Sequence, residues 1–229
     1  MTERIEVTYN DERWSLLRSF RNEAATLMKP LAKVHIACLV YGSVARGDVK
    51  PSSDIEIFLP SPPATELIET ALDRSGISVI EREIVQATPG YAAKGYLYTG
   101  EKRGYSLPLT SLLPAERDFY GFAGSVTLAQ LEEDKRVPGV DKRLVLIEPT
   151  PRGHIESQVV GREGEVARFL GVDTRIVTER VRTLQRRREV GRTGVYLKHT
   201  LDPGEVFGDT LHRLSQRRPA LRKRINLKK

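Results

Sequence analysis

The residues most able to do chemistry lie in one short stretch. Gly42-Ser43 is followed about ten residues later by the triplet Asp54-Ile55-Glu56. Two acids two positions apart on an extended strand point to the same face. From one face they can share a hard divalent cation, for which carboxylate oxygens are suitable ligands. Such an ion neutralises phosphate charge and orients an attacking oxygen. Gly42 would let backbone approach a phosphate closely, and Ser43 would add a hydroxyl and an N–H at the start of a short helix. Arg46, one turn on, could face phosphate or a carboxylate. Either feature alone is common on solvent-facing strands and turns. Together, behind an apolar strand, they point to a site.

The run Val40-Tyr41-Gly42-Ser43-Val44-Ala45-Arg46-Gly47, continued through Asp48-Val49-Lys50-Pro51-Ser52-Ser53 to Asp54-Ile55-Glu56-Ile57, resembles the signature of the DNA polymerase β-type nucleotidyltransferase superfamily. Its Gly-Ser-Val-Ala-Arg-Gly part is similar to small prokaryotic nucleotidyltransferases. The likeness covers residues 34–59 well and 34–115 loosely. It implies an α/β (α+β) fold, a mixed sheet with flanking helices, and an NTP substrate whose nucleoside monophosphate passes to a hydroxyl acceptor. It also implies Mg²⁺ (or Mn²⁺) as cofactor, Asp54 and Glu56 as catalytic metal ligands, and Gly42, Ser43 and Arg46 on the nucleotide. The chain departs from the pattern in two ways. The second metal ligand is Glu where Asp is more usual. The third carboxylate of the superfamily has no counterpart on the strand Gly104–Thr110, where archaeal tRNA nucleotidyltransferases, which this region faintly resembles, would carry it. The remaining candidate is Glu83, which shares a strand face with Glu81 opposite Ile80 and Ile84.

Periodicity supplies the elements around these residues. A helix is expected from Glu12 to Met28, closed by Pro30, then a buried strand from Val34 to Tyr41 ended by Gly42. A second strand covers Asp54–Leu59. A helix begins at Ser61-Pro62-Pro63 and is capped near Gly76. Ile77–Ala87 reads as a strand, with shorter ones near Tyr96–Thr99 and Tyr105–Leu109. Helices follow at Ala115–Phe122 and Val126–Glu133, and another strand at Arg143–Ile147.

Charge divides the chain unevenly. Residues 1–152 hold 19 basic and 21 acidic residues, and residues 153–229 hold 18 and 9. The whole positive excess thus lies in the last third, which suits a part that meets a polyanion. The proline-rich Glu148–Gly153 stretch reads as the boundary between a domain at 1–148 and a second at 153–212, leaving a frayed basic tail at 213–229. Glu165–Val181 resembles a helix-turn-helix, with Ala167 at the helix crossing, Gly171 in the turn and Asp173 as N-cap. With Gly191–Gly194 and Val195–Lys198 as a basic hairpin, the segment is similar to a winged helix. That resemblance implies nucleic acid, DNA or RNA, as partner, held by Arg175, Arg182 and Arg186 on the second helix and Arg192 on the wing. Winged-helix proteins often dimerise, so a homodimer is among the assemblies it allows.

No run is long and apolar enough to span a bilayer, and with no apolar stretch after Met1–Arg4 a signal peptide is not expected there. The single cysteine, Cys38, excludes an intrachain disulfide and an all-cysteine zinc site, and a cytoplasmic setting is expected. Two functions stand open at this point: a metal-dependent nucleotidyltransferase with a nucleic-acid-binding module, and a winged-helix regulator on a degenerate nucleotidyltransferase domain. A third, a partner-binding antitoxin of the small nucleotidyltransferase type, suits the motif but not the basic appendage.

Overall fold

The computed structural model describes residues 4–191 and 194–227. In chain order its elements are β1 (Arg4–Thr8), α1 (Asp11–Lys33), β2 (Leu39–Tyr41), α2 (Ser43–Arg46), β3 (Ile55–Phe58), α3 (Thr65–Asp73), β4 (Glu81–Gln86), β5 (Ala93–Gly100) and β6 (Arg103–Pro108). They continue with α4 (Pro114–Ala123), β7 (Ser125–Val126), α5 (Leu128–Glu132), β8 (Gly139–Val140), β9 (Val145–Thr150) and β10 (Gly153–Gln158). The last are α6 (Glu163–Leu170), α7 (Thr174–Val190), β11 (Leu197–Thr200), α8 (Phe207–Arg217) and α9 (Pro219–Ile225). The fold is mixed α/β. No helix among the described residues is long and apolar enough to cross a membrane.

The chain forms two compact units, each assembled from three segments. The first unit takes residues 1–26, 39–55 and 114–193, and the second takes 27–38, 56–113 and 194–229. This differs from the expected division at 148/153. Residues 148–153 span the tight Pro151-Arg152 turn of the β9–β10 hairpin and the strand ends beside it, where Thr150 pairs with Gly153. A proline-rich stretch with a change of charge on either side describes an exposed tight turn as well as it describes a linker.

Within the first unit, antiparallel strands run in the order β1-β10-β9-β8, and β2 pairs with β7 through Val40 and Val126. The core explains why the helix-turn-helix segment is not a separate domain. Val166, Ala167, Ile176, Val177, Val181 and Leu184 of α6 and α7 share one apolar cluster with Phe122, Val140, Leu144 and Leu146. The local features of that segment appear as expected. Gly171 is left-handed at φ 67 and ends α6, and the Asp173 carboxylate accepts from the Arg175 N–H to cap α7.

Within the second unit the strand order is β11-β4-β5-β6-β3. One face of this sheet is closed over a core that includes Ile57, Ile84, Leu97, Tyr105, Leu107 and Leu197, each 2% exposed or less. Tyr105 crosses that core, and its hydroxyl donates to the Leu27 carbonyl at 2.8 Å.

Three local expectations change. Pro30 lies inside α1 instead of closing it. The strand expected from Val34 shortens to Leu39–Tyr41, after His35 adopts φ 59. The basic tail expected to fray folds as α8 and α9, where Leu221 and Arg224 are buried and Arg224 donates to the Ser111 carbonyl at 2.7 Å. Charge alone argues for a frayed end, but an amphipathic helix buries its apolar stripe regardless of what lies on its outer face.

Candidate functional site

In the first unit β2 delivers the chain to Gly42, whose N–H donates to the Gly124 carbonyl at 2.9 Å. Gly42 has φ 81, a conformation that side chains other than glycine's adopt at a cost, although a Cβ there would meet nothing within 4 Å. The requirement is therefore conformational. The single helical turn α2 follows from Ser43 and ends at Gly47, left-handed at φ 104. The Ser43 hydroxyl donates to the Ser53 hydroxyl at 3.2 Å, which ties the Gly-Ser turn to the residue just before Asp54. Ser53 in turn accepts from the Lys50 N–H at 2.9 Å.

Asp54 precedes β3 directly, and Glu56 is its second residue. Ile55 and Ile57 are 1% and 0% exposed, so the strand gives them to the core, and Glu56 alternates away from it. The Asp54 side chain is 52% exposed and pairs with Lys142 Nζ at 3.5 Å. An exposed pair of this kind is worth little and exchanges readily. Carboxylate oxygens such as these are hard donors of the kind that Mg²⁺ and Mn²⁺ accept.

Arg46, expected on the nucleotide, is instead buried within the protein. It is 5% exposed and grips Asp48 with two nitrogens, Nε and Nη2, each at 2.9 Å. Its Nη1 donates to the Ala123 carbonyl at 2.7 Å. The guanidinium is thus spent on holding α2 in place. A second buried arginine, Arg21 of α1, helps by donating to the Val44 carbonyl at 3.0 Å. Nothing in the local sequence marked Arg21 for this role, since its partners are distant backbone carbonyls.

In the second unit the polar face of the sheet carries Glu56, Glu83, Tyr96 and Tyr98. Register places Glu83 opposite Tyr96, and Tyr96 opposite Ser106. Burial pushes the Tyr98 hydroxyl up to about 12, with help from the Glu83 charge, its hydrogen bond, and Glu56. Tyr96 is raised as well, first by burial and then by Glu56. Both carboxylates therefore act on the same pair of stacked rings, whose centroids are 5.9 Å apart. Glu83 is not a free acid. Lys198 Nζ lies 2.7 Å from its carboxylate, the Thr200 hydroxyl donates at 3.3 Å, and its side chain is 3% exposed. Ser106, on the strand where the superfamily carries its third acid, is fully buried, and its hydroxyl has no hydrogen-bond partner among the described residues.

The arginines of α7 separate into groups that the sequence treats alike. Arg175 is bound to Asp173, with Nη2 at 2.7 Å, and this ion pair lowers the Asp173 carboxyl. Arg180 lies over the Phe119 ring at 5.2 Å. Burial lowers its guanidinium, and the neighbouring Arg187 charge adds to the effect. Arg188 donates to the Arg143 carbonyl. Arg182 and Arg186, one turn apart, are exposed and form no ion pair among the described residues. Arg192 falls outside the described residues. The strand expected for a wing has another role: β11 pairs antiparallel with β4, Lys198 opposite Val85 and Thr200 opposite Glu83.

The chain matches no family model, and no curated protein matches it. The class that the fold defines is a mixed α/β protein.

Proposed function

We propose that the protein is a metal-dependent nucleotidyltransferase that moves a nucleoside monophosphate from an NTP to a hydroxyl acceptor. The observation that carries this reading is the Ser43–Ser53 hydrogen bond, which holds the Gly-Ser turn beside the backbone that presents Asp54. In this reading Asp54 and Glu56 hold Mg²⁺ or Mn²⁺, and the ion supplies charge neutralisation of the triphosphate. Gly42 and Ser43 receive phosphate oxygens. The exposed Arg182 and Arg186 hold a nucleic acid by its phosphates. Arg175, tied to its own N-cap, contributes less to reading bases than its place at the helix start suggests.

A second reading is favoured by the second unit. Glu83 is neutralised by Lys198, and β6 carries Ser106 in place of an acid. On that ground the protein is a nucleic-acid-binding regulator whose nucleotide site no longer transfers. One experiment separates the two. The protein is incubated with each labelled NTP and Mg²⁺ or Mn²⁺, with and without single-stranded and duplex acceptors, and NTP binding is measured alongside. Metal-dependent labelling that Asp54→Asn abolishes, with the fold intact, supports the transferase. Metal-dependent NTP binding without labelling supports a nucleotide-sensing regulator, and no binding to any NTP overturns the transferase and leaves the domain a scaffold in the regulator.

A further inference from the structure

His154 of β10 is 1% exposed and lies between two oxygen partners. Its Nδ1 is 2.5 Å from the Tyr9 hydroxyl, and its Nε2 is 3.2 Å from Glu156 Oε1. The Tyr9 hydroxyl also lies 3.0 Å from the Gly47 carbonyl, at the end of α2. The path from the Gly47 oxygen through Tyr9 and the ring to Glu156 therefore contains three donor–acceptor gaps. A neutral imidazole and one hydroxyl supply two hydrogens for them.

We propose that His154 is a proton-operated switch whose charge decides whether the Tyr9 hydroxyl binds the Gly47 carbonyl. When the ring is neutral, its hydrogen resides on Nε2, facing the Glu156 carboxylate. Bare Nδ1 then takes the Tyr9 hydrogen across the short gap, and the Gly47 carbonyl receives none. When the ring gains a proton, Nδ1–H donates to the Tyr9 oxygen. The Tyr9 hydrogen turns to the Gly47 carbonyl, and all three gaps are filled. Buried polar groups are stable when bonded, so each ring state selects its own hydroxyl orientation.

The groups facing the ring set its working range. Burial opposes the charge, and so does Arg13 of α1. Glu156 on the same strand favours it, as does Asp48 beyond α2. Arg143, held at 2.6 Å from Glu156, favours that carboxylate's ionised form, and the Arg136 charge acts on the Tyr9 hydroxyl. Burial outweighs the rest, so the ring titrates below the ordinary histidine value of about 6.5. Gly47 adjoins Asp48, the carboxylate that fixes Arg46, so the ring's charge reaches the single turn that begins at Ser43. Any effect on transfer rests on the nucleotidyltransferase reading, whereas the switch itself does not.

The test is an NMR titration of the isotopically labelled full-length protein between about pH 8 and pH 5. The ring nitrogens of His154 and the carbonyl carbon of Gly47 are expected to move together, with one midpoint below about 6.5. Tyr9→Phe should leave the ring titrating and flatten the Gly47 response. If Tyr9→Phe does not fold, Glu156→Gln serves instead and should move both midpoints down together. Ring nitrogens that stay unchanged over the range overturn the switch. So does a Gly47 carbonyl that ignores the ring, or one that still follows pH in Tyr9→Phe. Transfer is not measured, so a failed enzyme reading leaves this result interpretable.

Discussion

Replacing Arg46 by Met tests whether this residue serves the fold or a ligand. The change removes the two bonds to Asp48 at 2.9 Å and the bond to the Ala123 carbonyl at 2.7 Å. Asp48 is 9% exposed, so its carboxylate would be left buried without its counter-charge. Breaking one side of a buried ion pair costs about 3–5 kcal/mol. For a chain of this length that corresponds to a fall in Tm of about 6–20 °C. The companion variant Arg46→Met/Asp48→Leu removes both charges and should recover much of the loss, because the buried carboxylate is gone. Urea denaturation followed by far-ultraviolet circular dichroism measures all three proteins. A single variant within about 0.5 kcal/mol of wild type would refute the argument, since that is the range of surface substitutions. A double variant no better than the single would refute it too. If Arg46 instead bound a nucleotide, the single variant would weaken nucleotide binding and leave the urea midpoint in place.

Two further outcomes follow from the first unit. His154 is lowered by burial, and Glu156 is lowered because the hydrogen bonds from Arg143 and His154 outweigh its own burial. In both cases the unfolded chain binds protons at a higher pH than the folded one. Stability should thus hold near neutrality and fall on acidification, first as the pH drops below about 6.5 for the histidine and again below about 4.5 for the carboxylate. A urea midpoint that stays level or rises between pH 7 and 5 contradicts this. For nucleic acid, each of Arg182→Ala and Arg186→Ala should lower the salt slope of log affinity by about 0.9, one phosphate contact apiece. Arg175→Ala should change it less, because that side chain is already paired with Asp173. Equal effects from all three would place Arg175 on the phosphates as well.

Short-range rules were legible in the sequence. Gly171 ends a helix because it takes the left-handed conformation, and Asp173 caps the next because its carboxylate reaches an N–H two residues on. Ile55 and Ile57 alternate into the core, leaving Glu56 on the other side of the strand. Each of these depends on neighbours within one turn or one pleat, so residue type and spacing were enough. The fates of charged side chains and strand partners were decided by the tertiary structure. Arg46 looked available for phosphate until Ala123 and Asp48 closed around it. Val195–Lys198 looked like a wing until β11 took its place beside β4. Arg175, Arg180 and Arg182 read as one basic run, yet the first binds its own cap, the second covers Phe119, and the third stays in solvent. An arginine's long side chain reaches whatever the fold brings near, and a strand pairs with any edge of matching register. Sequence spacing constrains neither, because the partners are supplied by segments tens of residues away.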